Sequence, residues 1–111
     1  MIKKVGVSVF LLLISAQGFA ATTLPLAVVD KIRVSADVKP GDLVYVDFWA
    51  SWCNPCRKSF PWMKKIAANY KDQHFKIVAV NVDKDRSLAE NFLETENPNF
   101  PIIYDPEGKF A

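Results

Sequence analysis

The two cysteines of the chain, Cys53 and Cys56, are the residues whose type and spacing bear most directly on chemistry. They are the only cysteines among 111 residues, and two residues separate them. A disulfide that closes so small a loop removes little entropy from the unfolded chain, so it adds much less stability than one that closes a long loop. Structural zinc requires four thiolate or imidazole ligands, and only His74, an expected surface loop residue, could add to the pair. The spacing therefore favours a redox-active dithiol over a structural disulfide or a metal site, and we expect no cofactor.

The position of the pair assigns different roles to the two sulfurs. Apolar residues recur at helical spacing after Trp52, which predicts a helix from about Cys53 to Tyr70. Unpaired N–H groups at a helix N-terminus favour negative charge, so Cys53 is the expected attacking thiolate. Cys56 lies one turn further in and is expected to be more shielded. It would resolve the mixed disulfide that Cys53 forms with a substrate.

Asp47 is the one charged residue in the otherwise apolar segment from Leu43 to Trp49. Burial of an unpaired carboxylate raises its pKa, and a carboxyl group near a buried thiol can accept its proton. One interpretation makes Asp47 the general base that deprotonates Cys56. The other is that Asp47 points to solvent or caps a local turn.

Four further residues of the segment around the cysteines are candidates for the active-site loop and the substrate rim. Trp49 and Trp52 either shape an apolar rim that docks substrate or are plain core aromatics. Pro55 stiffens the loop or is an ordinary proline at the start of a helix. Asn54 occupies a position that could tune the stability of the thiolate. These candidates are Trp49, Trp52, Asn54 and Pro55.

The N-terminus has the pattern of an export signal. Lys3 and Lys4 precede an apolar run from Val5 to Ile14, and the small-residue pattern Gly18-Phe19-Ala20 follows before Ala21. This pattern predicts a cleaved secretory signal peptide over residues 1–20. An uncleaved membrane anchor is the alternative, although the apolar run is short for a span of about 20 residues.

Charge excludes one class of partner. Removal of residues 1–20 takes two of the 14 Lys and Arg and none of the 12 Asp and Glu, which leaves 12 of each. A chain without net charge gives no sign of nucleic-acid binding. Residues 21–111 suffice for one small domain with a single core.

Hydrophobic patterning predicts the order of elements in that domain. Residues 21–42 are expected to be an irregular lead-in with at most one short strand. Strand, helix and strand then form a right-handed parallel crossover unit, so the fold class is α/β. A second helix and a short strand follow. The predicted elements are a central strand at 43–49, a helix at 53–70 that Pro61 should kink, a buried strand at 75–82, a helix at 87–95 capped by Asp85 or Ser87, and a strand at about 101–104.

Three segments together resemble the thioredoxin superfamily, in particular its exported TlpA-like branch of thiol-disulfide oxidoreductases. They are residues 46–57 (Val-Asp-Phe-Trp-Ala-Ser-Trp-Cys-Asn-Pro-Cys-Arg) with the following Phe60-Pro61, residues 78–83 (Val-Ala-Val-Asn-Val-Asp), and residues 100–105 (Phe-Pro-Ile-Ile-Tyr-Asp). The resemblance covers about residues 42–111. It implies a thioredoxin-like fold over residues 43–111, with Cys53 attacking, Cys56 resolving and Asp47 matching the buried acid of thioredoxins.

The resemblance also raises a question about Pro101. In this superfamily a cis-proline begins a later strand and lies against the cysteine pair, before a hairpin and a final helix. We favour the interpretation that residues 98–108 are an earlier segment of the TlpA-like pattern, so that Pro101 is not this cis-proline. The domain is then expected to be incomplete at its C-terminus, poorly stable and weakly active.

These patterns lead to two hypotheses of different classes. The first is an exported thiol-disulfide oxidoreductase, a reductase of protein disulfides in cysteine delivery or cytochrome maturation, which a membrane electron-transfer protein recycles. The second is a thioredoxin-like binding module, or an inactive fragment, that holds a partner without catalysis. The direction of the reaction depends on the reduction potential, which spacing alone does not determine.

Overall fold

The computed structural model describes residues 26–111, which form three helices and three strands. The predicted signal peptide lies outside these residues. The helices are α1 (Leu26–Ser35), α2 (Asn54–Asn69) and α3 (Arg86–Glu96), and the strands are β1 (Leu43–Trp49), β2 (Phe75–Asn81) and β3 (Ile102–Tyr104). Except for α1, each element agrees with the predicted one to within about a residue at either end.

The three strands form one parallel sheet in the order β1-β2-β3. The middle strand is β2, and five consecutive residues of it are buried. The prediction that 43–49 is a central strand covered on both faces is wrong for the described residues, because β1 lies at the edge of this sheet. Leu43, Tyr45 and Phe48 are correspondingly exposed. The prediction rested on the continuous apolar run, but some of these apolar side chains face solvent.

The side chains of β2 alternate between two layers of the core, one on each face of the sheet. Ile77 and Ala79 face α2 and α3, where they join a cluster built around Phe60 and Met63. Val78 and Val80 face the opposite side and pack with Val28 and Ile32 of α1. Successive side chains of a strand point to opposite faces, so one strand serves both layers.

Helix α1 corrects the predicted irregular lead-in. Its buried residues, Val28 and Ile32, are four apart and therefore lie on one face of a helix. Sequence reasoning treated these apolar residues as scattered and missed their helical spacing. The tertiary contact with the sheet determines the conformation here, as it does for most helices of this length.

Local signals explain the ends of α3. Asp85 is its N-cap, and its Oδ1 accepts hydrogen bonds from the backbone N–H and the hydroxyl of Ser87. Of the two predicted caps, the structure thus selects Asp85, whose pKa these bonds lower. Asn97 adopts the left-handed conformation after the last turn and donates its N–H to Leu93 O.

Candidate active site

Cys53 and Cys56 form a disulfide where β1 leads into α2. The Sγ atoms are 2.05 Å apart and the Cα atoms 5.3 Å apart. Cys53 is the N-cap residue of α2, with extended backbone angles, and its carbonyl accepts the N–H of Arg57 at 3.0 Å. The predicted placement of the pair at a strand-to-helix junction is therefore confirmed.

The electrostatic surroundings at the start of α2 favour an anion. Cys53 makes no side-chain capping bond, and the first turn carries no acidic residue. Exposed Arg57 and Lys58 follow directly. Free N–H groups of a helix N-terminus attract negative charge, and nearby cations add to this effect. A sulfur at the Cys53 position can thus be stabilised as a thiolate when the disulfide is reduced.

Cys56 lies against the core side of the helix. It packs on the cluster of α2, α3 and the sheet, and its Sγ is 4.0 Å from the carbonyl oxygen of Phe48. Both cysteines are partly buried. The packing of Cys56 on the core agrees with its predicted position as the inner sulfur of the pair.

Asp47 lies on the face of the sheet that α2 covers. Its register partner is Ala79, which faces α2 and α3, and Tyr45, two residues earlier, contacts Trp62 of α2. The Oδ2 atom of Asp47 is buried without a hydrogen-bond partner. Burial raises the pKa of Asp47 above its ordinary value. The structure thus shows a partly buried carboxyl group on the face of the sheet that α2 covers, and its role as the base for Cys56 stays a prediction.

The two tryptophans have different surroundings. Trp49 is 1% exposed and contacts Phe60 and Phe92 with ring centroids 4.8 and 5.3 Å apart. The predicted rim role of Trp49 is therefore wrong, because a side chain this deep in the core cannot touch a docked substrate. Trp52 is 74% exposed beside Cys53 and remains a rim candidate.

Asn54 and Pro55 form the first turn of α2, and both are exposed. A proline here removes no helical hydrogen bond, because the N–H groups of the first turn have no acceptor within the helix. These two residues lie between Cys53 and Cys56 in the disulfide loop. Their proposed influence on substrate docking and on the thiolate remains a prediction.

Pro101 lies away from the disulfide. It precedes β3, which is two strands from β1, and its carbonyl accepts the N–H of Ala79. It lines a cavity of about 320 Å³ with Phe75 and Lys76 at the start of β2, whereas the cysteines follow the end of β1. The peptide bonds of residues 26–111 are all trans. In the described residues Pro101 thus lies toward the opposite end of the strands from the cysteines, and its place in the family pattern stays a prediction.

A buried polar cluster beside the cysteines was not singled out by the sequence. Asp83 follows β2 and is 3% exposed. Its carboxylate accepts the backbone N–H and the hydroxyl of Ser51, each at 2.8 Å, and the side-chain amide of Asn81 at 2.7 Å. The signal for it was present, because polar residues at the carboxyl ends of adjacent parallel strands lie close together.

Two observations concern metals and membranes. Within residues 26–111, no three His, Cys, Asp or Glu side chains lie close enough to hold a metal ion together. No helix of this same range has both the length and the apolar character needed to cross a bilayer.

Comparison with known proteins identifies the family of this chain. The profile of the Redoxin family matches residues 15–111, which is most of the sequence. The chain belongs to the Redoxin family. This assignment agrees with the resemblance to the thioredoxin superfamily and with the α/β fold of the described residues.

Relatives of this Redoxin-family chain include thiol-disulfide oxidoreductases. The chain is 33% identical over 92 residues to ResA of Bacillus subtilis, an alignment that covers 83% of this chain and 51% of ResA. It therefore spans about half the length of this relative. ResA of Geobacillus kaustophilus is 38% identical over 69 residues, which are 62% of this chain and 40% of that protein.

Solved structures share the fold of this Redoxin-family chain. A Chlorobium tepidum protein assigned as the thiol:disulfide interchange protein DsbE superposes with a TM-score of 0.61 and 48% identity, over 63% of this chain and 50% of that one. StoA of Bacillus subtilis gives a TM-score of 0.56 and 28% identity, over 64% of this chain and 55% of StoA.

Proposed function

We propose that this chain carries the dithiol centre of an exported thiol-disulfide oxidoreductase that reduces disulfides in protein substrates. The observation that carries the proposal is the disulfide at an uncapped helix N-terminus, with one cysteine as the N-cap and the other against the core. The chain aligns with about half the length of ResA and of the DsbE-like protein. The names of these relatives agree with the proposal.

The reaction begins with the reduced pair. The Cys53 thiolate attacks one sulfur of the substrate disulfide, a bond forms between Cys53 and that sulfur, and the other substrate sulfur leaves as a thiolate that takes up a proton. Cys56 then loses its proton to the Asp47 carboxylate and attacks Sγ of Cys53. The mixed disulfide breaks, and the second substrate sulfur leaves and is protonated. Two electrons have passed from the cysteine pair to the substrate, and the pair is a disulfide.

The features at each position support these roles. Cys53 lies where helix N–H groups stabilise a leaving or attacking thiolate, and its neighbour Trp52 presents an exposed aromatic surface to a substrate. One carboxyl oxygen of Asp47 is buried without a hydrogen-bond partner, and the raised pKa of this group makes it a better proton acceptor for a thiol.

Continued turnover requires a donor of two electrons. We propose a dithiol of a membrane electron-transfer protein, because a reductase outside the cytoplasm lacks the cytosolic thiol pool. The predicted signal peptide over residues 1–20 supports export. Cytochrome maturation or cysteine delivery is the proposed setting, since both need thiols kept reduced in an oxidising compartment.

Trapping of the mixed disulfide tests this function. In Cys56→Ser the attacking sulfur remains and the resolving sulfur is absent, so a substrate protein should stay attached to Cys53. The matched control is Cys53→Ser, which should trap nothing. Both variants are mixed with a disulfide-containing protein such as insulin and separated on a non-reducing gel. An adduct that forms equally in both variants, or in neither, would contradict catalysis and leave a binding module as the better description.

A further inference from the structure

The loop that presents Cys53 is attached to the rest of the fold through one buried carboxylate. Cys53 donates its N–H to Ala50 O at 3.1 Å, so residues 50–53 form a hydrogen-bonded turn after β1. Ser51 is the second residue of this turn, and both its N–H and its hydroxyl donate to Asp83. Asp83 therefore holds the turn at whose end the attacking sulfur lies.

Asp83 is itself fixed from the other side. The amide of Asn81 donates to Oδ2 of Asp83, and Asn81 Oδ1 accepts the Asp83 N–H at 3.1 Å. Both residues are buried. A buried carboxylate that accepts three hydrogen bonds in a low-dielectric surrounding is rigid, and removal of it leaves the donors without partners.

The restraint matters most in the reduced state. With the disulfide closed, the bond to Cys56 holds Cys53 in place. Reduction removes this bond. The position of Cys53 then depends on the turn, on the hydrogen bond that its carbonyl accepts from Arg57, and on Asp83. Thiolate stabilisation by helix N–H groups falls off within the first turn, so a small displacement of the sulfur weakens it.

We propose that Asp83 is a positioning residue of the redox centre, which keeps Cys53 at the N-terminus of α2 when the pair is reduced. This inference rests on the proposed function for its biological meaning. The property that Asp83 controls is the reactivity of the Cys53 thiol, which can be measured without any substrate protein.

The chain contains a matched control for the buried carboxylate. Asp105 follows β3 as Asp83 follows β2, and it is 4% exposed. Its carboxylate accepts the backbone N–H groups of Lys109 and Phe110 at 2.8 Å each. Among the described residues it makes no hydrogen bond to residues 50–56. Loss of Asp105 should therefore lower stability without changing the thiol.

The test measures the pH dependence of iodoacetamide alkylation in the full 111-residue chain with Cys56→Ser, where Cys53 is the single thiol. With Asp83→Ala, we expect Cys53 to be alkylated about threefold more slowly on the acid side of the transition, because less of it is thiolate. Asp83→Asn should restore the wild-type rate, since its oxygen can accept both N–H groups and its amide can donate to the Ser51 hydroxyl. Asp105→Ala should lower the Tm and leave the alkylation rate unchanged.

Ser51→Ala is the second variant, because it keeps the Asp83 charge and removes one of the three bonds. It should also slow alkylation, but by less than Asp83→Ala does. A faster reaction in both Asp83→Ala and Asp83→Asn would overturn the proposal, because it would show that Asp83 acts only by its charge. Equal rates in Asp83→Ala and the parent, or equal losses in Asp83→Ala and Asp105→Ala, would also overturn it. A normal alkylation profile with no trapping of insulin would instead refute the proposed function.

Discussion

At the scale of single residues, the site combines the two cysteine sulfurs, the partly buried Asp47 and the hydrogen-bonded Asp83. The sequence alone predicts these residues to different extents. The roles proposed for Cys53 and Cys56 were inferred from their spacing and their position at the start of a helix. Of the two interpretations of Asp47, the buried Oδ2 atom agrees with the one that places this carboxyl group away from solvent. The bonds of Asp83 to Ser51 were not predicted, since 32 positions separate the two residues and only the sheet brings them together.

Asp47→Asn should slow the resolving step by about 100-fold at neutral pH, because the amide cannot accept the proton of Cys56. The reduced chain should react with Ellman's reagent in two phases, the first from attack by Cys53 and the second from resolution by Cys56. Only the second phase should slow. Asp72→Asn, an exposed carboxylate, is the control and should change neither phase. Equal second-phase rates in wild type and Asp47→Asn would exclude Asp47 as the base.

The same substitution should change how stability depends on pH. The pKa of Asp47 is raised in the folded chain above its ordinary value of 3.8. The folded chain therefore keeps a proton that the unfolded chain has lost, and the free energy of unfolding falls as pH rises between the two pKa values. Asp47→Asn removes this fall. In urea unfolding, the free energy of unfolding of the variant should increase relative to that of wild type from acid to neutral pH. A constant difference between the two free energies across this range would contradict the assignment.

At the scale of elements, α2 holds the cysteine pair in position because one face of this helix packs in the core. Phe60 is fully buried and contacts Trp49, Phe92 and Phe100, with ring centroids 4.8 to 5.6 Å apart. These rings join β1, α2 and α3, so they fix the end of β1 against the start of α2. The helical period predicted this face correctly, whereas the burial of Trp49 depends on tertiary contacts that a strand pattern does not encode.

Phe60→Leu should lower the free energy of unfolding by roughly 1–2 kcal/mol, since it removes buried ring atoms and three aromatic contacts. Trp62→Leu changes an exposed aromatic residue of the same helix and should cost about 0.5 kcal/mol or less. Urea denaturation of both variants measures the difference. Similar losses at the two positions would show that the aromatic cluster does not anchor α2.

At the scale of the whole molecule, β1 and β3 are the two edge strands of the described sheet, and β1 is the longer of them. Leu43, Tyr45 and Phe48 are exposed on β1, and Trp62 of α2 and its C-cap residue Tyr70 are exposed as well. An edge strand with apolar side chains and unpaired backbone groups favours pairing with another chain. Sequence patterning predicted the strand but not its place in the sheet, because strand order depends on which neighbours pair with it.

Leu43→Lys should reduce concentration-dependent self-association of the chain, because a charge on an edge strand opposes pairing between copies. Val34→Lys introduces the same charge at another exposed apolar position, on α1, and should have little effect. Sedimentation velocity over a range of concentrations reports the difference. Equal association of both variants and the wild type would show that the β1 edge is not the surface involved.

The reduction potential of the Cys53–Cys56 pair tests the central claim most directly. The full chain is equilibrated with defined ratios of reduced and oxidised glutathione, and the fraction of disulfide is measured after acid quenching and alkylation. We predict a potential near that of thioredoxin, about −270 mV, as expected of a reductase. A potential near that of DsbA, about −120 mV, would contradict the reductase, and a pair that does not equilibrate with glutathione would contradict a thiol-disulfide exchange centre.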